Sequence, residues 1–221
     1  MTTIIAHAGC EGTPPNSLSY IRTAIAAGVD AVEFDLRLGG DSVLLSHDPL
    51  EREKLADYLT LEDAAALARD AGVGLNCDLK EPEVFAPALQ TLRRVGMERC
   101  TVFTGSYPSL GTFVDGVHGY YINTDHTGLV AAAGSVTPEQ ARALGELFYA
   151  RRDPALLGLN IDYLTLTEES MAVFRAMHVP LCCWTVDDEE QIEYLLEQRV
   201  ACITTNLAAA AVRRRGSGRY F

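Results

Sequence analysis

Asp30-Ala31-Val32-Glu33-Phe34-Asp35-Leu36-Arg37 and, further along, Gly74-Leu75-Asn76-Cys77-Asp78-Leu79-Lys80 decide how this chain folds. Both are short apolar runs of strand length interrupted by charge at every second position. The i, i+2, i+4 spacing puts Glu33, Asp35 and Arg37 on one face, and Asn76, Asp78 and Lys80 on the matching face of the next strand. Phe34 and Cys77 then turn the other way, toward helices. Similar runs recur at 3–6, 101–103, 120–122, 157–161, 180–186 and 201–204, with an extra extended piece at 43–46. Helical patterns lie between them at 17–27, 60–70, 83–95, 108–113, 137–148, 168–177, 189–198 and 207–214. Thr60 reads as an N-cap with Asp63 at the capping-box position, and Pro138 as the first helical residue.

Eight strands alternating with helices, without a linker, predict a parallel sheet. At 221 residues closure into a single (β/α)8 TIM barrel is the natural α/β solution. A doubly wound open sheet is the alternative, but no Gly-x-Gly-x-x-Gly turn follows the first strand. The expectation is one domain over residues 1–221, with little or no inserted small domain and a flexible basic tail from about residue 213.

Composition narrows the partners. A net charge of −12 argues against nucleic acid, whose affinity comes from Lys and Arg, and against anionic membrane surfaces. With 48% hydrophobic residues the chain has material for a sizeable core, which excludes disorder and a fibrous fold. No run reaches the ~18 apolar residues of a membrane span, so stable membrane insertion is not expected. The N-terminus lacks the features of a signal peptide, so a cytoplasmic protein is expected. Cys10, Cys77, Cys100, Cys182, Cys183 and Cys202 form no Cys-x-x-Cys pair and read as buried thiols in a reducing compartment. Nothing in the sequence signals an oligomeric state.

In a barrel, chemistry belongs at the C-terminal strand ends. There the chain places His7, Glu33, Asp35, His47, Asp78, Lys80 and Trp184. Three carboxylates in one mouth repel without a cation, and an oxygen-only set favours one hard divalent ion, Mg²⁺ or Ca²⁺. The alternative is that they ion-pair with Arg37 and Lys80. Two histidines at different strand ends suggest an acid and a base. His118 and His178, away from the cluster, read as structural. His126 is open between a substrate contact and no role, and Trp184 between a substrate wall and a core aromatic.

His7-Ala8-Gly9, Pro14-Pro15-Asn16-Ser17, Glu33-Phe34-Asp35, His47-Asp48 and Asn76-Cys77-Asp78-Leu79-Lys80, followed by Trp184-Thr185-Val186-Asp187 and Ile203-Thr204-Thr205-Asn206, occur in the order seen in the glycerophosphodiester phosphodiesterase family. The chain resembles that family, a phosphatidylinositol-phosphodiesterase-like TIM barrel, over nearly its whole length. The resemblance implies a metal-dependent hydrolase that cleaves glycerophosphodiesters to sn-glycerol 3-phosphate and an alcohol. It implies His7 and His47 as the catalytic pair, Glu33, Asp35 and Asp78 as metal ligands, and Lys80, with Trp184 and Arg37, as substrate-binding groups.

The chain also departs from that pattern. Ala8 stands where the family has Arg, Pro15 where it has Glu, and Asp78 where it has Glu. The first two are opposite charges missing together, so an Ala8→Arg/Pro15→Glu double variant is expected to outperform either single. The short stretch from Asp48 to Asn76 leaves room for one helix and no inserted lid. Some departures lean toward the sphingomyelinase D and phospholipase D sister group, so a lysophospholipase D-like phosphodiesterase or lyase is the alternative function. A second alternative is a non-catalytic barrel that binds a phosphorylated metabolite.

Overall fold

The structure is a computed structural model describing residues 1–106, 119–130, 134–151 and 153–216. Within these residues the apolar runs form nine strands: β1 (Thr3–Ala6), β2 (Ala31–Gly39), β3 (Ser42–Leu45), β4 (Gly74–Leu79), β5 (Thr101–Gly105), β6 (Gly119–Asn123), β7 (Leu156–Asp162), β8 (Leu181–Trp184) and β9 (Cys202–Thr205). Their order is β1-β9-β8-β7-β6-β5-β4-β2-β3, and β1 also pairs with β2, so eight parallel strands close into a barrel. The extra extended piece, β3, pairs antiparallel with β2. That hairpin carries β2 beyond the expected 30–35 to Gly39, because Leu36–Gly39 gain a second partner in Ser42–Leu45.

Among the described residues seven helices cover the outside: α1 (Leu18–Ala27), α2 (Leu61–Asp70), α3 (Phe85–Val95), α4 (Pro138–Arg151), α5 (Glu168–Ala176), α6 (Glu189–Glu197) and α7 (Ala208–Arg215). Thr60 caps α2 by accepting from Asp63 N at 3.1 Å, and its hydroxyl donates to the Asp63 carboxylate at 2.7 Å. Pro138 is the first residue of α4. Between β3 and α2 the chain makes only a short 3-10 helix, Arg52–Asp57, and no inserted domain. The expected helix at 108–113 and His118 lie outside the described residues, as does the tail beyond residue 216. No described helix is long and apolar enough to cross a membrane.

Strand register sorts the barrel interior into a dry floor and a polar mouth. Ile5, Ala31, Val102, Tyr121, Cys182 and Cys202 make a buried apolar cluster inside the barrel. Glu33 of β2 and Asn76 of β4 pair at the level of Val102 of β5, and two residues further along the paired residues are Asp35, Asp78 and Thr104. The intervening residues Phe34, Leu36, Cys77, Leu79 and Phe103 join the large core between strands and helices. Five of the six cysteines are buried as expected, whereas Cys100 is exposed, because it ends a 3-10 turn ahead of β5 instead of entering the strand.

Candidate active site

The polar mouth is built on the pairing of β2 with β4, which sets Glu33 beside Asn76 and Asp35 beside Asp78. Oxygens of Glu33, Asp35 and Asp78 lie within 4.8 Å of one another. Glu33 is 4% exposed. One of its oxygens accepts from Ala8 N at 2.8 Å, and burial, with Asp35 and Asp78 adding to it, pushes its carboxyl well above the usual range. Asp35 Oδ2 accepts from Asn16 Nδ2 at 2.8 Å, and Asn16 Oδ1 accepts from Asp35 N at 3.2 Å. Asn16 holds this double bond from a left-handed backbone, φ 52°. Asp78 Oδ1 accepts from Thr104 Oγ1 at 2.9 Å.

Lys80 Nζ bridges two of the carboxylates, 2.7 Å from Asp35 Oδ1 and 2.5 Å from Asp78 Oδ2. Burial alone would favour the neutral amine, but Asp78 and Asp35 outweigh it and hold Lys80 as an ammonium. The alternative of ion pairing thus describes Lys80. It does not describe Arg37, whose Nη1 pairs with Glu81 at 2.9 Å while Nε and Nη2 donate to the His47 carbonyl at 3.1 and 2.8 Å. Arg37 does not line the cavity; it braces the turn that carries His47.

His7 follows β1, where its N–H joins Thr205 O of β9 at 3.0 Å. Its Nδ1 lies 3.0 Å from Asn206 Oδ1. Asn206 is itself clamped, its backbone N and Nδ2 donating to the two carboxylate oxygens of Asp187 at 2.8 and 2.7 Å. That clamp fixes which end of the amide faces the ring. An amide oxygen accepts only, so the His7 nitrogen that faces it, Nδ1, carries a proton, and Nε2 is the ring nitrogen turned away from Asn206. His47 follows β3 with its side chain 70% exposed and its Nδ1 2.9 Å from Asp48 Oδ1.

One cavity of about 330 Å³ joins these groups, lined by His7, Glu33, Asp35, His47, Asp78 and Lys80, with Trp184 also on its wall. Asn123, Asp125 and His126 also line it. His178 does not; it is exposed in the left-handed residue that stops the chain after α5.

Three residues that shape this site, Tyr20, Asp187 and Asn206, were not among the expected site residues. Tyr20 of α1, fully buried, donates from Oη to Ala6 O at 2.7 Å and accepts from Glu33 N at 3.0 Å, sealing β1 to β2 under the carboxylates. Tyr20 falls within the helical pattern at 17–27, which by itself implies no contact with β1 or β2. Asp187 and Asn206 were legible as motif residues, but their contact depends on how β8 and β9 end.

No protein-family model matches the chain, and no curated protein does. Solved structures match over nearly the whole length. A protein of Agrobacterium tumefaciens named as a glycerophosphoryl diester phosphodiesterase superposes with a TM-score of 0.78 at 20% identity, over 97% of each chain. A glycerophosphodiester phosphodiesterase of Parabacteroides distasonis gives 0.70 at 22% identity, over 95% of this chain and 94% of that one. An Oleispira antarctica phosphodiesterase, solved in complex with its product sn-glycerol-3-phosphate, gives 0.74 at 18%, over 97% and 96%. This chain shares their fold. The single TIM barrel expected from the strand and helix pattern is therefore the observed architecture.

Proposed function

We propose that the barrel mouth hydrolyses phosphodiesters, with glycerophosphodiesters as substrates and sn-glycerol 3-phosphate and an alcohol as products. The observation that carries this is His7 and His47 facing one cavity with Glu33, Asp35, Asp78 and Lys80. Likeness of fold to phosphodiesterases, one holding sn-glycerol-3-phosphate, supports it.

The donor set fits a hard divalent cation. Three carboxylates meet and one ammonium offsets a single charge, so with all three ionised two negative charges are left for a cation to balance. All donors are oxygens, which suits Mg²⁺ or Ca²⁺. Glu33, Asp35 and Asp78 would hold the ion, and when bound it supplies Lewis-acid withdrawal of charge from a phosphoryl oxygen. Lys80 neutralises a second phosphoryl oxygen from the same side.

His7, with Nδ1 on Asn206, takes the proton of the attacking water at Nε2 as the water oxygen bonds to phosphorus. His47 protonates the departing alcohol oxygen as the P–O bond breaks. Asn206 and Asp187 keep the His7 proton on the far side of the ring. Arg37 acts through the His47 turn, and Trp184 forms an apolar wall for the substrate.

The test is hydrolysis of a panel of glycerophosphodiesters and lysophosphatidylcholine with Mg²⁺, with Ca²⁺ and with chelator. Chelator-sensitive release of glycerol phosphate is expected. Turnover confined to lysophosphatidylcholine would move the assignment to a lysophospholipase D-like activity. Silence on the whole panel would contradict it.

A further inference from the structure

His47 stands between two cavities. On its other side lies a groove of about 710 Å³ that shares His47 with the first cavity and is also lined by Asn16, the residue that fixes Asp35. Pro15, Leu18, Tyr58 and Leu59 give its lining apolar surface. Leu18 is 44% exposed there, in the first turn of α1. The serines on the lining are already hydrogen-bonded: Ser17 Oγ donates to Pro14 O at 2.6 Å, Ser46 Oγ to Asp48 O at 2.8 Å, and Ser19 Oγ lies 2.9 Å from Ser17 Oγ. The charged side chains besides His47 are Asp48 and Asp57, with neither lysine nor arginine.

These features exclude some occupants. A second phosphate or a carboxylate would meet two carboxylates and no cation. A sugar or polyol would find the serine hydroxyls engaged and apolar surface on the lining. An uncharged hydrocarbon chain gains from that surface by leaving water. His47, exposed at the neck between the cavities, is where an alcohol oxygen on its way into the groove would pass.

We infer that this groove is the binding site for the alcohol half of the diester, and that the alcohol it accepts carries an apolar chain. The inference rests on the phosphodiesterase assignment: phosphate and glycerol occupy the cavity beside the carboxylates, and the alcohol crosses His47 onto Pro15, Leu18 and Tyr58. Pro15 takes on meaning in this setting. A charged residue at that place would put its head on the groove wall, whereas the proline ring makes the wall apolar.

The experiment is kcat/KM for a series of glycerophospho-n-alkanols, methyl, butyl and octyl, kept below micelle-forming concentrations. It is run on the wild type, on Leu18→Glu and Pro15→Glu, and on Trp184→Ala. A glutamate at position 18 enters the first turn of a helix, where negative charge is tolerated, so the variant is expected to fold. The wild type should favour octyl over methyl by about tenfold, from part burial of the added methylenes. Both glutamate variants should bring that ratio down toward one. A flat wild-type series overturns the inference. So does a preference that survives both glutamates, or one removed only by Trp184→Ala, which would place the alcohol on the β8 wall. Should the wild type hydrolyse glycerophosphoethanolamine but none of the series, the inference falls and the assignment stands; should it hydrolyse neither, the assignment falls, and calorimetric binding of the octyl diester decides the groove. Tighter binding than methyl, lost in Leu18→Glu, supports it, and equal binding overturns it.

Discussion

Asn206 gives His7 a neutral amide oxygen, and the value of that contact is directional. It fixes the tautomer without adding charge to a mouth that already holds three carboxylates. Asn206→Leu removes the acceptor, frees the His7 ring to flip or change tautomer, and should lower kcat by about 10²-fold with little change in melting temperature. Steady-state kinetics beside a thermal melt check this; a parallel loss of fold would point to a packing role. Glu33 carries the pH dependence. Its carboxyl is raised by burial and by Asp35 and Asp78, so without a cation the folded state holds a proton that the unfolded chain releases. Stability from this group is present below the ordinary glutamate range and is lost as pH rises toward the raised value. In chelator, Glu33→Gln should therefore flatten the pH profile and melt several degrees higher than wild type at pH 8. Saturating Mg²⁺ should reverse that order, because only the wild type keeps the full ligand set. The carboxylates and Lys80 were legible in sequence because strand period two puts them on one face. Arg37 shares that spacing, yet Glu81 and the His47 carbonyl capture it, and neither partner is implied by the spacing of β2. Asp187 and Asn206 stand 19 residues apart and meet only through the turns after β8 and β9.

At the scale of elements, β5 presses on β4 just below the site. Gly105, at the end of β5, has φ +78°, and a Cβ there would lie 2.5 Å from both Asp78 Oδ1 and Leu79 O. Its N–H donates to Asn123 Oδ1 at 3.1 Å, so the turn is tied to β6 as well. Gly105→Ala strains the backbone and displaces the Asp78 carboxylate. Mg²⁺ affinity, read by calorimetry, should fall at least tenfold; unchanged affinity would mean that the strand gives way instead. Strands and most helices were readable because their apolar periods and caps are local. The β2–β3 hairpin was read only as an extra extended piece, since antiparallel pairing of Leu36–Gly39 with Ser42–Leu45 depends on the tight turn at Gly40. Cys100 was misread as buried for a related reason: a 3-10 turn interrupts the apolar pattern before β5 starts.

Across the whole molecule, the chain ends close the floor of the barrel opposite the site. Arg215 at the end of α7 pairs with Asp30, the residue that leads into β2, and also donates to Thr2 O at 3.2 Å. Asp30 accepts from Ile4 N at 2.7 Å, so one buried carboxylate links α7, β1 and β2. Removing one partner of such a pair leaves the other charged and buried. Arg215→Met should cost about 3 kcal/mol or more, seen as a lower midpoint in denaturant, while kcat stays near wild type because the floor lies far from the mouth. An unchanged midpoint would show that the pair does no net work. Closure itself was legible from eight strands in 221 residues, but this lock was not, since Asp30 read only as the start of a strand and Arg215 as part of a basic tail. The most direct test of the account follows the phosphorus of glycerophosphoethanolamine by ³¹P NMR with the wild type, His7→Ala and His47→Ala. A growing phosphomonoester resonance is expected with the wild type and Mg²⁺, stopped by chelator and slowed at least about 10²-fold in each variant. Conversion at the wild-type rate by both variants would contradict it.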